Sequence, residues 1–532
     1  MSSHAHVDRP TSFAWPTAWS AHRFALAAVL AAVVGMGLAS LLRTPAPFID
    51  EVWFANRAWT YLHTGHNFGT IDEGVWDHFD GYWTYFPWLP SVVEALAFRV
   101  FGLSLFALRL TSLAFGMLLL GAVYAIAQDL GGRRLALLAV LLVGLSRAFV
   151  FSSHLGRPDV MGAAFGFGAV ALYITDRSRG VSPASVLSGL AVGLAFESHP
   201  FGSIYGPILL ALYLLDYGWR LPRVPRFWGF GLGVAAGLAF YAALHVLPYP
   251  QTYMAINTIA ALGAGAVRTP PLLVPDLAVW RQSVVDMAVQ FGSLWNLRLP
   301  LIAGGVVVLW RGRRSTSDRR LLVLCVMLLA AYLVLIRNKN PWYAILVSPA
   351  GDLLAAAFLL WVSRFEWRRL MPALHRSVGV AVFAGLLAAA VVPTLARMVD
   401  DPLGNYQTTL DGIRAAVPPG SAVMGPATYW FGLTDERYVS WEQLVYYRRY
   451  APGSTVEDAA RAIGVRYFIV DPYIDKFFRD TPRPSVNDQQ LLLPRAEVES
   501  FLSRRGRLAA TIDTPTYGAV RVYALDWGDQ NP

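Results

Sequence analysis

Charge is scarce in this 532-residue chain: only 15% of residues are Asp, Glu, Lys or Arg, against roughly a quarter in a soluble globular domain. With 55% hydrophobic residues, that scarcity excludes an ordinary soluble fold and predicts a polytopic α-helical membrane protein. A single cysteine, Cys325, lies within an apolar run, so no disulfide can form within the chain and the redox compartment stays open. There is no internal repeat and no low-complexity tract. No phosphate-cradling loop or dinucleotide glycine signature appears where it would matter, because Gly162, Gly166 and Gly168 fall inside a run read as a membrane helix. His63, His66 and His78 lack the tight spacing of zinc ligands, so no metal site is predicted. A cleavable leader is not expected either: Met1–Ser20 is polar, and the apolar run that follows is long for a signal peptide.

The net charge of +9 would suit a nucleic-acid partner, but the arginines sit in short loops between apolar runs, so no such partner is predicted. They read as topology determinants under the positive-inside pattern. Apolar runs recur at Phe24–Leu42, Leu105–Ala127, Leu135–Phe151, Val160–Thr175, Ala184–Glu197, Phe201–Leu215, Phe227–Leu247, Leu299–Trp310, Leu321–Ile336, Trp342–Val362 and Val378–Ala396. That gives about eleven spans, several of them shorter than the ~20 residues of a perpendicular helix. The segment Tyr85–Phe101 contains Pro87, Pro90, Glu94 and Arg99, which are costly inside a bilayer, so it reads as interfacial. The clusters around Arg23, Arg133, Arg177, Arg220, Arg313 and Arg364 then share one side.

This tally puts residues 1–23 in the cytoplasm and residues 24–397 in a transmembrane domain. Two large loops, 43–103 with interfacial helices and 248–296, lie outside. The tail, 398–532, is charged, contains proline and has no membrane-length run. Strands are expected at Ala422–Met424, Val465–Val470, Leu508–Ile512 and Ala519–Leu525. Helices are expected at Tyr406–Ala416, Val456–Ile463 and Ala496–Arg504, with an N-cap near Thr455. A small external α/β domain follows, on a protein of the cytoplasmic membrane.

Several polar residues then meet on the outer face. Asp50 and Glu51 stand just past the first span, followed by Trp53, Trp59, Tyr61, His63, His66, Trp76, His78, Tyr82, Trp83 and Tyr85. Abstracting a proton from a hydroxyl needs a carboxylate, and neighbouring charge or partial burial tunes it. Consecutive residues point apart, so one of the two is the base, and Asp50 is the choice. Asp159, after Arg157-Pro158, opens a helix, where capping is a competing role. Arg109 lies within the outer turns of a span, where an ionisable group needs a partner: a substrate phosphate, or else Asp50. Lys339 precedes Pro341-Trp342-Tyr343 at a helix start, where a cation opposes the dipole, so a ligand role is favoured. His199, before Pro200, is the other candidate for bonding a phosphate or an acceptor hydroxyl.

Together, the Asp-Glu opening of the first loop, the aromatic interfacial segment, Phe101-Gly102-Leu103-Ser104 followed by Arg109, and Arg157-Pro158-Asp159 resemble the GT-C glycosyltransferases. The branch is the protein O-mannosyltransferase and aminoarabinose–lipid A transferase group, with the RgtA/B/C/D-like sugar transferases, over roughly residues 24–350. The resemblance implies a polyprenyl-phosphate-linked sugar donor and inverting transfer on the outer membrane face to a lipid, glycan or protein acceptor. It implies catalytic roles for Asp50, Glu51 and Asp159, and donor-phosphate binding by Arg109, Lys339, Arg157 and His199. Trp53, His78, Tyr82 and Tyr343 are expected to contact acceptor or sugar. The chain lacks an Asp-x-Asp motif at 157–159, so no cofactor is assigned and a divalent cation is not supported. The rival readings are a lipid-linked-sugar flippase, which needs polar residues through the midplane, and a non-catalytic scaffold, for which Asp50 and Asp159 are irrelevant.

Overall fold

A computed structural model describes residues 17–72, 87–254, 271–291, 298–337, 339–364, 381, 384–385, 402–479 and 492–528. The chain opens with α1 (Thr17–Ser40), α2 (Ile49–Thr64), α3 (Trp88–Phe101) and α4 (Leu105–Gly144). Then follow α5 (Arg147–Ser153), α6 (Asp159–Thr175), α7 (Pro183–Ser198), α8 (Tyr205–Tyr217), α9 (Pro225–Tyr241), α10 (Leu277–Phe291), α11 (Arg298–Arg311), α12 (Thr316–Leu335) and α13 (Ser348–Arg364). Among the described residues four stretches are long and apolar enough to cross a membrane: His22–Ser40, Leu105–Gly144, Pro200–Arg223 and Pro225–Val246. Asp159–Thr175, Pro183–Ser198 and Ser348–Ser363 are shorter apolar helices. The predicted span Val378–Ala396 lies outside the described residues but for 381 and 384–385.

Local chemistry places the breaks. The runs expected at Leu105–Ala127 and Leu135–Phe151 meet inside α4 at Gly132, whose φ of 80° only glycine adopts readily. The second run ends at Gly144 because Ser146 caps a new helix, its Oγ accepting the Phe149 N–H at 3.1 Å. Glycine also sets the tightest packing. A Cβ on Gly193 of α7 would stand 2.5 Å from the Gly237 Cα of α9, and one on Gly233 would stand 2.0 Å from the Val186 carbonyl oxygen. Small residues four apart let two membrane helices touch backbone to backbone.

Ion pairs gather the arginine-rich loops at one end of the bundle. Arg177 bonds Asp129, Arg226 bonds Asp176 at 3.0 Å and Arg320 bonds Asp216 at 2.8 Å. The loops around Arg177, Arg226 and Arg320 therefore lie at the same end of the bundle. Helix α3 lies against α2 with Ser91, Glu94 and Phe98 buried and Leu96 and Val100 exposed. The expected loop 248–296 contains α10, which the sequence reading had left without a helix.

The tail holds α14 (Pro402–Ala416), β1 (Ala422–Gly425), β2 (Arg437–Ser440), α15 (Glu442–Tyr450), α16 (Val456–Ile463), β3 (Tyr467–Val470), α17 (Pro472–Asp475), α18 (Arg495–Arg505), β4 (Gly506–Thr514) and β5 (Gly518–Leu525). The sheet order is β2-β1-β3-β5-β4, parallel across β2, β1 and β3 and antiparallel thereafter. Thr455 caps α16 as expected: its Oγ1 accepts the Asp458 N–H at 3.1 Å, and Asp458 Oδ2 accepts the Thr455 N–H at 2.9 Å. Strand β2 and helix α15 were not foreseen. One hydrophobic core joins the tail to the first loop: Ile49, Val52 and Ala55 of α2 pack with Phe98 and Leu108 on one side and Tyr406, Leu410 and Trp430 on the other.

Candidate active site

The first turn of α2 separates its two carboxylates. Successive helical residues differ by about 100° around the axis, so Glu51 turns into the protein while Asp50 stays partly exposed. Glu51 and Arg109 are both fully buried. Arg109 Nε donates to Glu51 Oε1 and Nη2 to Oε2, each at 2.8 Å. Its guanidinium also donates to the Leu41 and Pro45 carbonyls, both at 2.9 Å. Glu51 further accepts the Phe48 N–H at 3.1 Å and the Gly156 N–H at 2.8 Å. The pair thus clamps three backbone segments. Arg109 meets neither Asp50 nor an open cleft, contrary to the sequence expectation, and Glu51 has its lone pairs directed at protein donors.

Asp50 keeps a side-chain exposure of 20%. Its Oδ2 is held by Arg157 Nη1, while no protein partner for Oδ1 appears among the described residues. Arg157 Nε donates to Asp159 Oδ2 at 2.8 Å, so one guanidinium bridges both aspartates. Its Cζ lies 5.0, 5.8 and 5.9 Å from the ring centroids of Trp342, Tyr343 and Phe54. Such an aromatic cage holds a cation by its ring faces and limits its side-chain freedom. Asp159 sits in the first turn of α6, and its Oδ1 accepts no hydrogen bond among the described residues. His199 Nε2 is 3.7 Å from that oxygen, beyond hydrogen-bond range. Burial pushes the His199 imidazole down to about 4, against the pull of Asp159 and with help from Arg157. It is therefore a neutral ring set at a tilt to Tyr343, with centroids 5.1 Å apart, rather than a cation.

Lys339 is placed differently from the sequence expectation. Its Nζ bonds Ser283 Oγ and donates to the carbonyls of Ile336 at 2.6 Å and Leu333 at 3.3 Å. The cation belongs to the end of α12, where it complements the dipole, rather than to the start of the next helix. Ser283 also donates to the Leu333 carbonyl at 2.9 Å, so α10 is tied to the same point. Trp53, partly buried, packs against the core shared with the tail. His78 and Tyr82 lie outside the described residues. Tyr343 stands beside Arg157.

Other residues of this end were not anticipated. Phe54 follows Asp50 by four, a same-face spacing that was there to be read. Glu197 is buried at the end of α7, accepting the Trp88 N–H of α3 at 2.8 Å and bonding His245 Nε2 at 3.0 Å. The π-turn Ala242–Val246 after α9 supplies that histidine, and nothing in local sequence announces it.

The site offers a partly exposed carboxylate with one oxygen fixed and, among the described residues, no partner for the other, beside the aromatic rings that surround Arg157. That arrangement can take a proton from a hydroxyl whose approach the rings restrict. Among the described residues no group of three or more His, Cys, Asp or Glu comes together. Among the described residues the two aspartates of the site, Asp50 and Asp159, are both bonded by Arg157.

Residues 86–246, less than a third of the chain, match the family model for dolichyl-phosphate-mannose-protein mannosyltransferase. Comparison with curated protein sequences gives no match. Among solved structures, the apo oligosaccharyltransferase of Archaeoglobus fulgidus is 14% identical, with 97% of this chain and 76% of that one covered and a TM-score of 0.57. ArnT from Cupriavidus metallidurans bound to undecaprenyl phosphate is 15% identical, with 96% and 98% covered and a TM-score of 0.57. The Archaeoglobus enzyme AglB in complex with an inhibitory peptide and a dolichol-phosphate gives 15% identity, 96% and 75% coverage and a TM-score of 0.53. At such identities the shared property is the fold.

Proposed function

We propose, for a chain that has the GT-C fold of these transferases, that it is an integral membrane glycosyltransferase. It transfers a sugar from a polyprenyl-phosphate donor to a hydroxyl of a lipid, glycan or protein acceptor. The observation that carries the reading is Asp50, partly exposed, anchored at Oδ2 by Arg157 and with no partner for Oδ1 among the described residues.

In the proposed step Asp50 Oδ1 takes the acceptor's hydroxyl proton as that oxygen attacks the anomeric carbon in line. The bond from that carbon to the phosphate oxygen breaks, and its electron pair leaves on polyprenyl phosphate. Attack opposite the leaving group inverts the anomeric centre. The phosphate is a good leaving group, so no general acid is required. Arg157 has two duties: it orients Asp50, and its charge lies beside the developing phosphate, where a desolvated contact counts for more than in water. Asp159 holds the far edge of Arg157 and so acts through it. Donor-phosphate binding by Arg109 and Lys339 is withdrawn from this mechanism, since both have protein partners.

The end carrying Asp50 would face outward and the end carrying the arginine-rich loops the cytoplasm. The chain's N-terminus then lies inside and the tail outside, on about eleven spans. The test supplies membranes that contain the protein, and with them candidate acceptors, with undecaprenyl-phosphate-linked hexoses and pentoses and measures release of undecaprenyl phosphate by mass spectrometry. Asp50→Asn should lower release by about 10²–10⁴, the scale of general-base loss. Near-normal release by Asp50→Asn would remove Asp50 as the base.

A further inference from the structure

The short segment that delivers Asp50, residues 41–48, is fixed through its carbonyl oxygens from two directions. From the bundle, Arg109 holds the carbonyls of Leu41 and Pro45 at 2.9 Å. From the tail, the Tyr517 hydroxyl donates to the Pro47 carbonyl at 3.3 Å. Pro47 directly precedes Phe48, the N-cap of α2, and Asp50 is the second residue of that helix. Movement at Pro47 therefore carries over to Asp50 with no intervening flexible stretch.

Tyr517 is itself held. It lies in the turn between β4 and β5, and its ring meets those of Tyr406 and Tyr429 at centroid distances of 5.8 and 5.9 Å. Those rings belong to the same hydrophobic core that receives Ile49, Val52 and Ala55 of α2. The helix bearing the base is thus packed between two domains, and its outer packing surface is made by the tail. A general base must sit within hydrogen-bond reach of the proton it removes, and a displacement of about 1 Å from a remote change can cost on the order of 10²-fold.

We propose that the C-terminal domain sets the position of the proposed base, and that Tyr517 is the positioning residue through which it does so. The inference rests on the reading of Asp50 as base. Tyr517 touches no substrate in this scheme; it holds the Pro47 carbonyl and, through it, the first turn of α2. The tail is then a working part of the catalytic centre rather than an appended module.

The test compares Tyr517→Phe with Tyr438→Phe in the full-length protein. Tyr438 donates to the Pro426 carbonyl at 2.5 Å, a bond wholly inside the tail, and serves as the control for a merely structural loss. With the undecaprenyl-phosphate-linked sugars above, Tyr517→Phe should lower kcat about three- to tenfold, the scale of one hydrogen bond, with KM for the donor unchanged. Tyr438→Phe should lower the Tm and leave kcat alone. The proposal is overturned if Tyr517→Phe keeps kcat within twofold of wild type. It is overturned equally if donor KM rises instead, or if kcat falls to the same extent in both variants. Asp50→Asn in the same assay separates the two ideas: full activity there removes the base assignment, whereas an inactive Asp50→Asn beside an unaffected Tyr517→Phe removes only the positioning role.

Discussion

Glu51→Gln is the most informative single substitution, because sequence and structure expect different things of it. If Glu51 were an idle neighbour of the base, the change would do little. In the structure its two oxygens accept four bonds, two from Arg109 and one each from the Phe48 and Gly156 N–H groups. Gln presents an NH₂ where one oxygen stood, so either orientation sets two donors against a third and leaves Arg109 without its counter-charge at zero exposure. Two bonds to a charged group, at about 1.5–3 kcal/mol each, give roughly 3–6 kcal/mol. Breaking a buried pair by removing one partner costs about 3–5 kcal/mol, a consistent figure. Replacing both partners by apolar groups offers no escape, since the Phe48 and Gly156 N–H groups and the Leu41 and Pro45 carbonyls would then be stranded. The assay is thermal unfolding in detergent beside donor turnover. Glu51→Gln should unfold well below wild type, whereas Asp50→Asn should unfold near it with turnover abolished. A Glu51→Gln protein with wild-type stability and no turnover would refute the architectural role and return Glu51 to the chemistry.

Lys339→Met should lower stability by about 1–3 kcal/mol, leaving the α12 carbonyls without their cation, and should not change donor KM; a tenfold rise in that KM would restore a phosphate-binding role. His199 carries a pH signature. Its folded value of about 4 lies below the ordinary 6.5, so stability is full above 6.5 and is lost as pH falls toward 4, where the unfolded chain takes up the proton first. The Tm of wild type should therefore drop more than that of His199→Gln between pH 7 and 5, and parallel profiles would contradict the buried neutral ring. For topology, a reporter fused at Thr316 should be cytoplasmic and one at Pro532 external; both on one side would break the assignment of the two ends.

Much of the scaffold was legible in the sequence because apolar runs and caps are local signals. Val456–Ile463 follows from a capping box and a terminal glycine, and both act within a few residues. The arginine tally anticipated that separate loops would share one end, since topology responds to charge number rather than to contacts. Helix α15, nine residues long, carries no side-chain cap at Trp441 to announce its start. Strand β2, four residues long, is a strand by virtue of β1 beside it.

What the sequence determined by itself was the membrane class, the tail's α/β character, and the set of polar residues available near Asp50. Which of them pair with protein and which stay exposed was decided by tertiary structure. Asp50 and Glu51 are adjacent in sequence and alike in chemistry, yet a helical turn sends one to Arg157 and the other to Arg109. Lys339 looked like a ligand only while the end of α12 was out of view. Pairing across the 58 residues from Glu51 to Arg109 or the 107 from Asp50 to Arg157 depends on which segments fold back together, and no local propensity encodes that. Chemistry-bearing residues can therefore be gathered from a sequence, but their division into base, orienting cation and buried strut belongs to the packed fold.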